Sequence, residues 1–310
     1  MVSTPKALLA TAAVCAVIGS LFSGSGFVSS LIILVAINVL MTASFRFVLL
    51  IGELNFAMAG FVGIGAYSAG IAATMYDLPL ALALLLGATA AGLISLVFGF
   101  ITLRAKGPYF LLISFAFTEV LRLIYTRTDA IGGNSGMAGI FTPAYLTRFY
   151  PAVVVLIVLF FLFILYRLER SGFGKILVAI RNNDDLVQTV GINVHLTKVW
   201  CLGIASFVAG ICGAVLAYAN NVISPDDFSF LLAVYTVAYL KVGGESHILG
   251  SVLGAIVLTL LAQFALGFGT YEQVFYGAAI LIGVLLLPEG LFGLVQGMVL
   301  GRRRPEGSGS

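Results

Sequence analysis

The sequence predicts an all-α polytopic membrane protein of eight to ten transmembrane helices, with ten the preferred count. Three observations carry this reading. First, 61% of the 310 residues are hydrophobic and 9% are charged, whereas soluble domains run at about 45–50% apolar and about 25% charged. Second, apolar runs fill most of the length, and the mean hydropathy is +1.12. Third, most lysines and arginines fall in every second connection between those runs. A soluble chain of this length would have too few charges to cover its surface. That excludes an ordinary cytosolic enzyme, a disordered chain and a nucleic-acid binder acting through a broad basic face.

A spanning helix needs about 20 mainly apolar residues. Such runs lie at 7–22, 28–50, 54–75, 79–103, 108–125, 150–166, 199–219, 247–267 and 273–294. A weaker one at about 228–242, between Pro225-Asp226-Asp227 and Lys241, is short for a span. The run 7–22 follows Lys6 and has the outline of a signal peptide. Its end, Ser20-Leu21-Phe22-Ser23-Gly24, lacks a small-x-small cleavage pattern, so it reads as the first span. Residues 1–304 then form one transmembrane domain, and 305–310 read as a linker or expression remnant.

Orientation follows from basic residues in short loops. The loop 167–198 carries Arg167, Arg170, Lys175, Arg181 and Lys198 and is placed in the cytoplasm. Alternation then puts Lys6, Arg46, Arg104, Lys106, Lys241 and Arg302 to Arg304 on the same side, thirteen of the sixteen basic residues. Arg122, Arg127 and Arg148 are the exceptions. Both termini are expected in the cytoplasm.

Two loops are long enough to hold structure. The outer loop 126–149 is glycine-rich around Gly132-Gly133-Asn134-Ser135-Gly136, but lacks the Gly-Lys-Ser/Thr of a phosphate loop; a flexible turn or partner contact is expected. In the inner loop, Ser171 is placed to cap a short helix holding Ile176, Leu177 and Ile180. Asn183 is placed to cap a second, with Asp184 and Asp185 in the first turn where the helix dipole favours carboxylates. Leu186, Val187 and Val190 are expected on one face of it, and Gly191 supplies a left-handed stop. Two such amphipathic helices either lie at the membrane surface or dock into a soluble partner.

Within the apolar runs, charges are costly, roughly 2.5–3.5 kcal/mol at a helix centre, and mark cavities or partners. Glu53, Glu119 and Arg122 are candidates for a translocation path, with Asn38 and Asn55 as weaker ones. Glu119 and Arg122 are three apart and can pair; helix-to-helix hydrogen bonds would equally explain the asparagines. Small residues recur at one-turn spacing, as in Gly60, Gly63, Gly65 and Gly70, then Gly210, Gly213 and Ala214, then Gly250 and Gly254; this predicts close helix packing. Gly52-Glu53-Leu54-Asn55 and Gly243-Gly244-Glu245-Ser246 interrupt apolar runs in the two halves, a pattern of discontinuous helices. Cys15, Cys201 and Cys212 read as packing residues, and His195 and His247 fall in inner loops with no metal-ligand pattern. No nucleophile elbow or nucleotide motif is present, so the chain is not expected to be an enzyme or to bind a cofactor.

Several stretches together resemble the permease subunits of bacterial ABC importers for branched-chain amino acids, of the longer LivM type. They are Gly60-Phe61-Val62-Gly63-Ile64-Gly65-Ala66-Tyr67, Gly107-Pro108-Tyr109-Phe110 with Ser114-Phe115-Ala116-Phe117, and Ser171-Gly172-Phe173-Gly174-Lys175 through Ala179-Ile180-Arg181-Asn182-Asn183 to Gly191-Ile192-Asn193. Ser224-Pro225, Gly243-Gly244, Gly250, Gly254-Ala255 and Leu287-Pro288-Glu289-Gly290-Leu291 complete the set, over about 50–300. The resemblance implies an inner-membrane permease bundle and a partner set: a second homologous permease, two cytoplasmic ATP-binding subunits that hold the ATP and Mg, and a periplasmic substrate-binding protein. It also implies that 171–193 inserts into the ATPase, with Ser171, Gly174, Lys175, Ala179, Arg181, Asn183, Asp184, Asp185, Leu186 and Gly191 as the coupling residues. Lys175, where the family usually has Arg, the polar run Asn182 to Asp185, and His247, where it usually has Gly, depart from the pattern. Urea, amide and aromatic-acid importers share this permease type, which leaves the solute open. A passive homo-oligomeric channel is the alternative; it would need no docking pair.

Overall fold

The computed structural model describes residues 26–286 other than 106, 144 and 145, together with 290–293. The expected first span at 7–22, Cys15, the Leu287-Pro288-Glu289 part of the motif and the tail 305–310 lie outside the described residues. Six described helices are long and apolar enough to cross a membrane. Five of them are α1 (Gly26–Leu49), α3 (Leu80–Thr102), α4 (Pro108–Arg127), α5 (Tyr150–Arg170) and α8 (Val194–Asn220). The sixth is α10 (Ile248–Ala265), which runs on into a 3-10 turn. Three shorter apolar helices complete the bundle: α2 (Met58–Thr74), α9 (Phe230–Gly243) and α11 (Glu272–Leu286). Between α5 and α8 lie the small helices α6 (Gly172–Asn182) and α7 (Asp184–Thr189).

The short helices explain the sequence interruptions. At 1.5 Å per residue, the 17 residues of α2 and 14 of α9 reach only about 25 and 21 Å, short of a hydrocarbon layer of about 30 Å. Residues 50–57 precede α2, and Gly244 to His247 follow α9. Irregular backbone at such depth must find hydrogen-bond partners in protein. Phe56 does so on α4: its N–H donates to Ser114 Oγ at 3.2 Å, and its carbonyl accepts from Thr118 Oγ1 at 2.9 Å.

Helix α8 is the centre of the molecule, packed against α1, α2 and α3. The glycines make this approach possible. A Cβ on Gly65 would collide with the Gly210 carbonyl, and one on Gly213 with that of Val62. In the second half Gly254 meets the Tyr239 carbonyl in the same way, and Gly290 abuts Gly244. Backbones in this contact gain dispersion energy that lipid cannot match. Cys201 and Cys212 are buried on α8 as unpaired thiols.

The outer loop is folded rather than merely a turn. Met137 and Ala138 (β1) pair antiparallel with Ile223 and Val222 (β2), and Met137 and Ile140 are buried. A Cβ on Gly136 would strike the Ile223 carbonyl, so glycine at φ +76° lets the two segments meet.

Candidate functional site

The inner-loop helices carry a small core of their own. Ile180, Val187 and Val194 are buried together, with Ile176 and Ile192 packed on them. Leu177 is also fully buried, under the main bundle. Asn183 takes extended backbone, and its Oδ1 accepts from the Asp185 and Leu186 N–H groups, both at 3.1 Å. That is the expected cap on α7, and Gly191 closes the turn after it at φ +86°. Two expectations need correction. Ser171 stands at the start of α6, but its hydroxyl donates back to the Leu168 carbonyl at 2.7 Å instead of capping α6. Leu186 and Val190 do not share the buried face of Val187: they are 63% and 74% exposed. A two-turn helix presents only one narrow stripe to its support, and Val187 takes it.

Buried charges tie this loop to the bundle at both ends. At its C-terminal end Lys198 Nζ lies 3.1 Å from Asp184 Oδ2 and 3.7 Å from Glu53 Oε1. Glu53 belongs to the segment between α1 and α2, and its Oε2 has no partner among the described residues. Beside it, Gly52 sits against the Arg181 side chain of α6: a Cβ there would be 3.3 Å from Arg181 Cγ, at φ +83°.

At the N-terminal end, Arg46 of α1 grips both carboxylate oxygens of Glu169 at 2.8 Å, one turn before α6. Its Nε donates to the Glu245 carbonyl at 2.9 Å and its Nη2 to the Ser246 carbonyl at 3.3 Å. One guanidinium therefore joins α1, α5 and the α9–α10 connection. Lys241, in the last turn of α9, pairs with Glu245 of that connection. His247 begins α10, accepting the Leu249 N–H at Nδ1, and stacks on Phe292 at 5.0 Å. His195, expected in a loop, instead lies in the first turn of α8 with Nε2 3.1 Å from the Phe100 carbonyl.

The remaining polar candidates are dispersed. Asn38 Nδ2 donates to Thr259 Oγ1 at 3.0 Å, linking α1 to α10. Asn55 is buried, and its Oδ1 has no partner among the described residues. At the opposite end of the bundle Arg122 pairs with Glu119 at 2.8 Å, as expected, and also with Asp226 at 2.9 Å. The structure thus brings Glu53 to the inner loop and keeps it apart from Glu119 and Arg122. Sequence reasoning missed the Arg46–Glu169 fork and the role of Lys198, having counted both cations only toward orientation. One signal was present: Arg46 stands inside the apolar run 28–50 and so required a partner.

A family model described as the permease component of the branched-chain amino acid transport system matches residues 27–287. The chain belongs to that family. It is 23% identical over 275 residues to the high-affinity branched-chain amino acid transport system permease protein LivM of Escherichia coli K12, covering 79% of this chain and 65% of that protein. The chain thus spans under two thirds of the length of that relative. A probable LivM of Methanocaldococcus jannaschii is 26% identical, over 68% of each chain. The ribose import permease protein RbsC of Bacillus subtilis is 26% identical, over 81% of each. No solved structure gives a significant match. In this permease family member, the helical layer and the anchored inner loop account for most of the described chain.

Proposed function

We propose that the chain is the membrane subunit of an ATP-driven importer for branched-chain amino acids or a related small polar solute, and that residues 171–193 dock into an ATP-hydrolysing partner. The observation that carries this reading is the α6–α7 pair. It has its own apolar core and two buried ionic anchors, yet holds Leu186 and Val190 out to solvent. An apolar pair held out on an anchored two-helix loop offers a protein surface a patch to cover.

The coupling residues divide by task. Gly174 allows close approach to the Glu169 carbonyl, Ala179 is exposed on α6, Asn183 and Gly191 fix the ends of α7, and Asp184 holds Lys198. Leu186 is the apolar anchor with Asp185 beside it in the chain, while Ser171, Lys175 and Arg181 supply polar groups at the start of α6 and along it. A push on α7 would pass through Asp184 and Lys198 to Glu53, and through Arg181 to Gly52, at the start of the broken span. ATP and Mg belong to two cytoplasmic partner subunits, a second homologous permease completes the membrane part, and a periplasmic binding protein delivers the solute. Both termini lie on the α6–α7 side of the inner membrane. Asn38 and Asn55 sit in the helical layer as path residues, with Glu119 and Arg122 at its outer end. Relatives named for amino acids and for ribose support a solute choice made mainly by the binding protein.

Reconstituted with these partners, the chain should support ATP-dependent leucine uptake, and alone in liposomes it should give none. Saturable leucine flux through the chain alone, without ATP, would favour the channel reading instead.

A further inference from the structure

We propose that the inner end of the bundle binds one anionic phospholipid between α5, α6 and α10, with its phosphate on Arg170 and Lys175 and an acyl chain along the α5–α10 groove. Two adjoining cavities carry this. The first is an apolar groove with Leu159, Leu162 and Phe163 of α5 facing Ile248, Leu249 and Val252 of α10, and Tyr166 at its head. From Tyr166 to Leu159 it descends two turns, about 10 Å, into the layer that acyl chains occupy. The second shares Tyr166 and opens at the inner surface among Glu169, Arg170, Lys175, Asn182 and His247. His247 immediately precedes Ile248, so the two cavities form one amphipathic cleft.

The charge in the polar cavity is unbalanced. Glu169 is neutralised by the Arg46 fork. Arg170 and Lys175 have no carboxylate partner among the described residues. The Arg170 guanidinium instead lies 4.8 Å over the ring of Tyr166, the residue that lines both cavities. Two uncompensated cations and the Asn182 amide match a phosphate with no nearby positive group; the choline of a zwitterionic lipid would add like charge. The cleft borders the docking pair on its α6 side, where Gly174, Lys175, Val178, Ala179 and Asn182 line it, but no residue of α7 does, so a partner seated on Leu186 and Val190 of the α7 end leaves the α5–α10 groove open to the leaflet.

The test uses the full chain in detergent, titrated with phosphatidylglycerol or phosphatidylcholine of equal chain length, with bound lipids counted by native mass spectrometry. Wild type should retain one phosphatidylglycerol preferentially. Each basic residue is worth about fivefold in such contacts, so Arg170→Gln with Lys175→Gln should bring the two lipids close to parity. Arg170→Lys, which keeps the charge, should retain most of the preference. Val252→Trp should expel the lipid by filling the groove while both cations remain. Equal retention of the two lipids by wild type, or an unchanged preference in the double variant, would overturn the site. So would a double variant that keeps its lipid but no longer binds an ATPase, since the cations would then belong to a protein contact. Because binding is read on the chain without partners, loss of the docking reading would leave this result standing.

Discussion

Lys198 and Glu53 form an ion pair 3.7 Å apart, with both side chains more than nine-tenths buried, where the first break in the bundle meets the inner loop. Removing one member of a buried pair strands the other and costs about 3–5 kcal/mol. Lys198→Met should therefore lower the thermal unfolding midpoint of the purified chain markedly. Glu53→Gln should do much less, because Lys198 keeps Asp184 and the buried carboxylate is gone.

The glycine contacts make a contrast. Gly213→Ala places a methyl against the Val62 backbone, whereas a Cβ on Gly267 meets nothing within 4 Å. Overpacking costs about 1–3 kcal/mol or more when backbone must move. Gly213→Ala should lower the melting midpoint and Gly267→Ala should leave it near wild type.

Reporter fusions test the alternation of the helices. A fusion after Gly174 should score cytoplasmic and one after Asn134 periplasmic. An external signal at 174 would invert the scheme and remove the loop from the reach of any ATPase.

What was legible in the sequence was what short-range rules govern. The run 79–103 became α3 at Leu80–Thr102, and 28–50 became α1 at Gly26–Leu49, because apolar length alone decides where backbone can sit in lipid. Asn183 capped α7 and Arg122 met Glu119, since both depend on neighbours within one turn. The Arg46–Glu169 fork spans 123 residues and the Arg122–Asp226 contact 104; no periodicity encodes such meetings. Ser171 shows the limit even locally: the Leu168 carbonyl, three residues back, took the hydroxyl expected to cap α6.

The docking of α7 is tested most directly at Leu186. Leu186→Asp puts a carboxylate where a dry contact is expected, at a cost of several kcal/mol to that contact. The residue is 63% exposed in the isolated chain, so insertion and folding should be unaffected. The measurement is solute-stimulated ATP hydrolysis by the assembled complex, made alongside uptake. Both should collapse in the variant while its membrane content stays at the wild-type level. Wild-type hydrolysis and uptake with Asp at 186 would contradict the account, and α6–α7 would be a loop lying at the membrane surface.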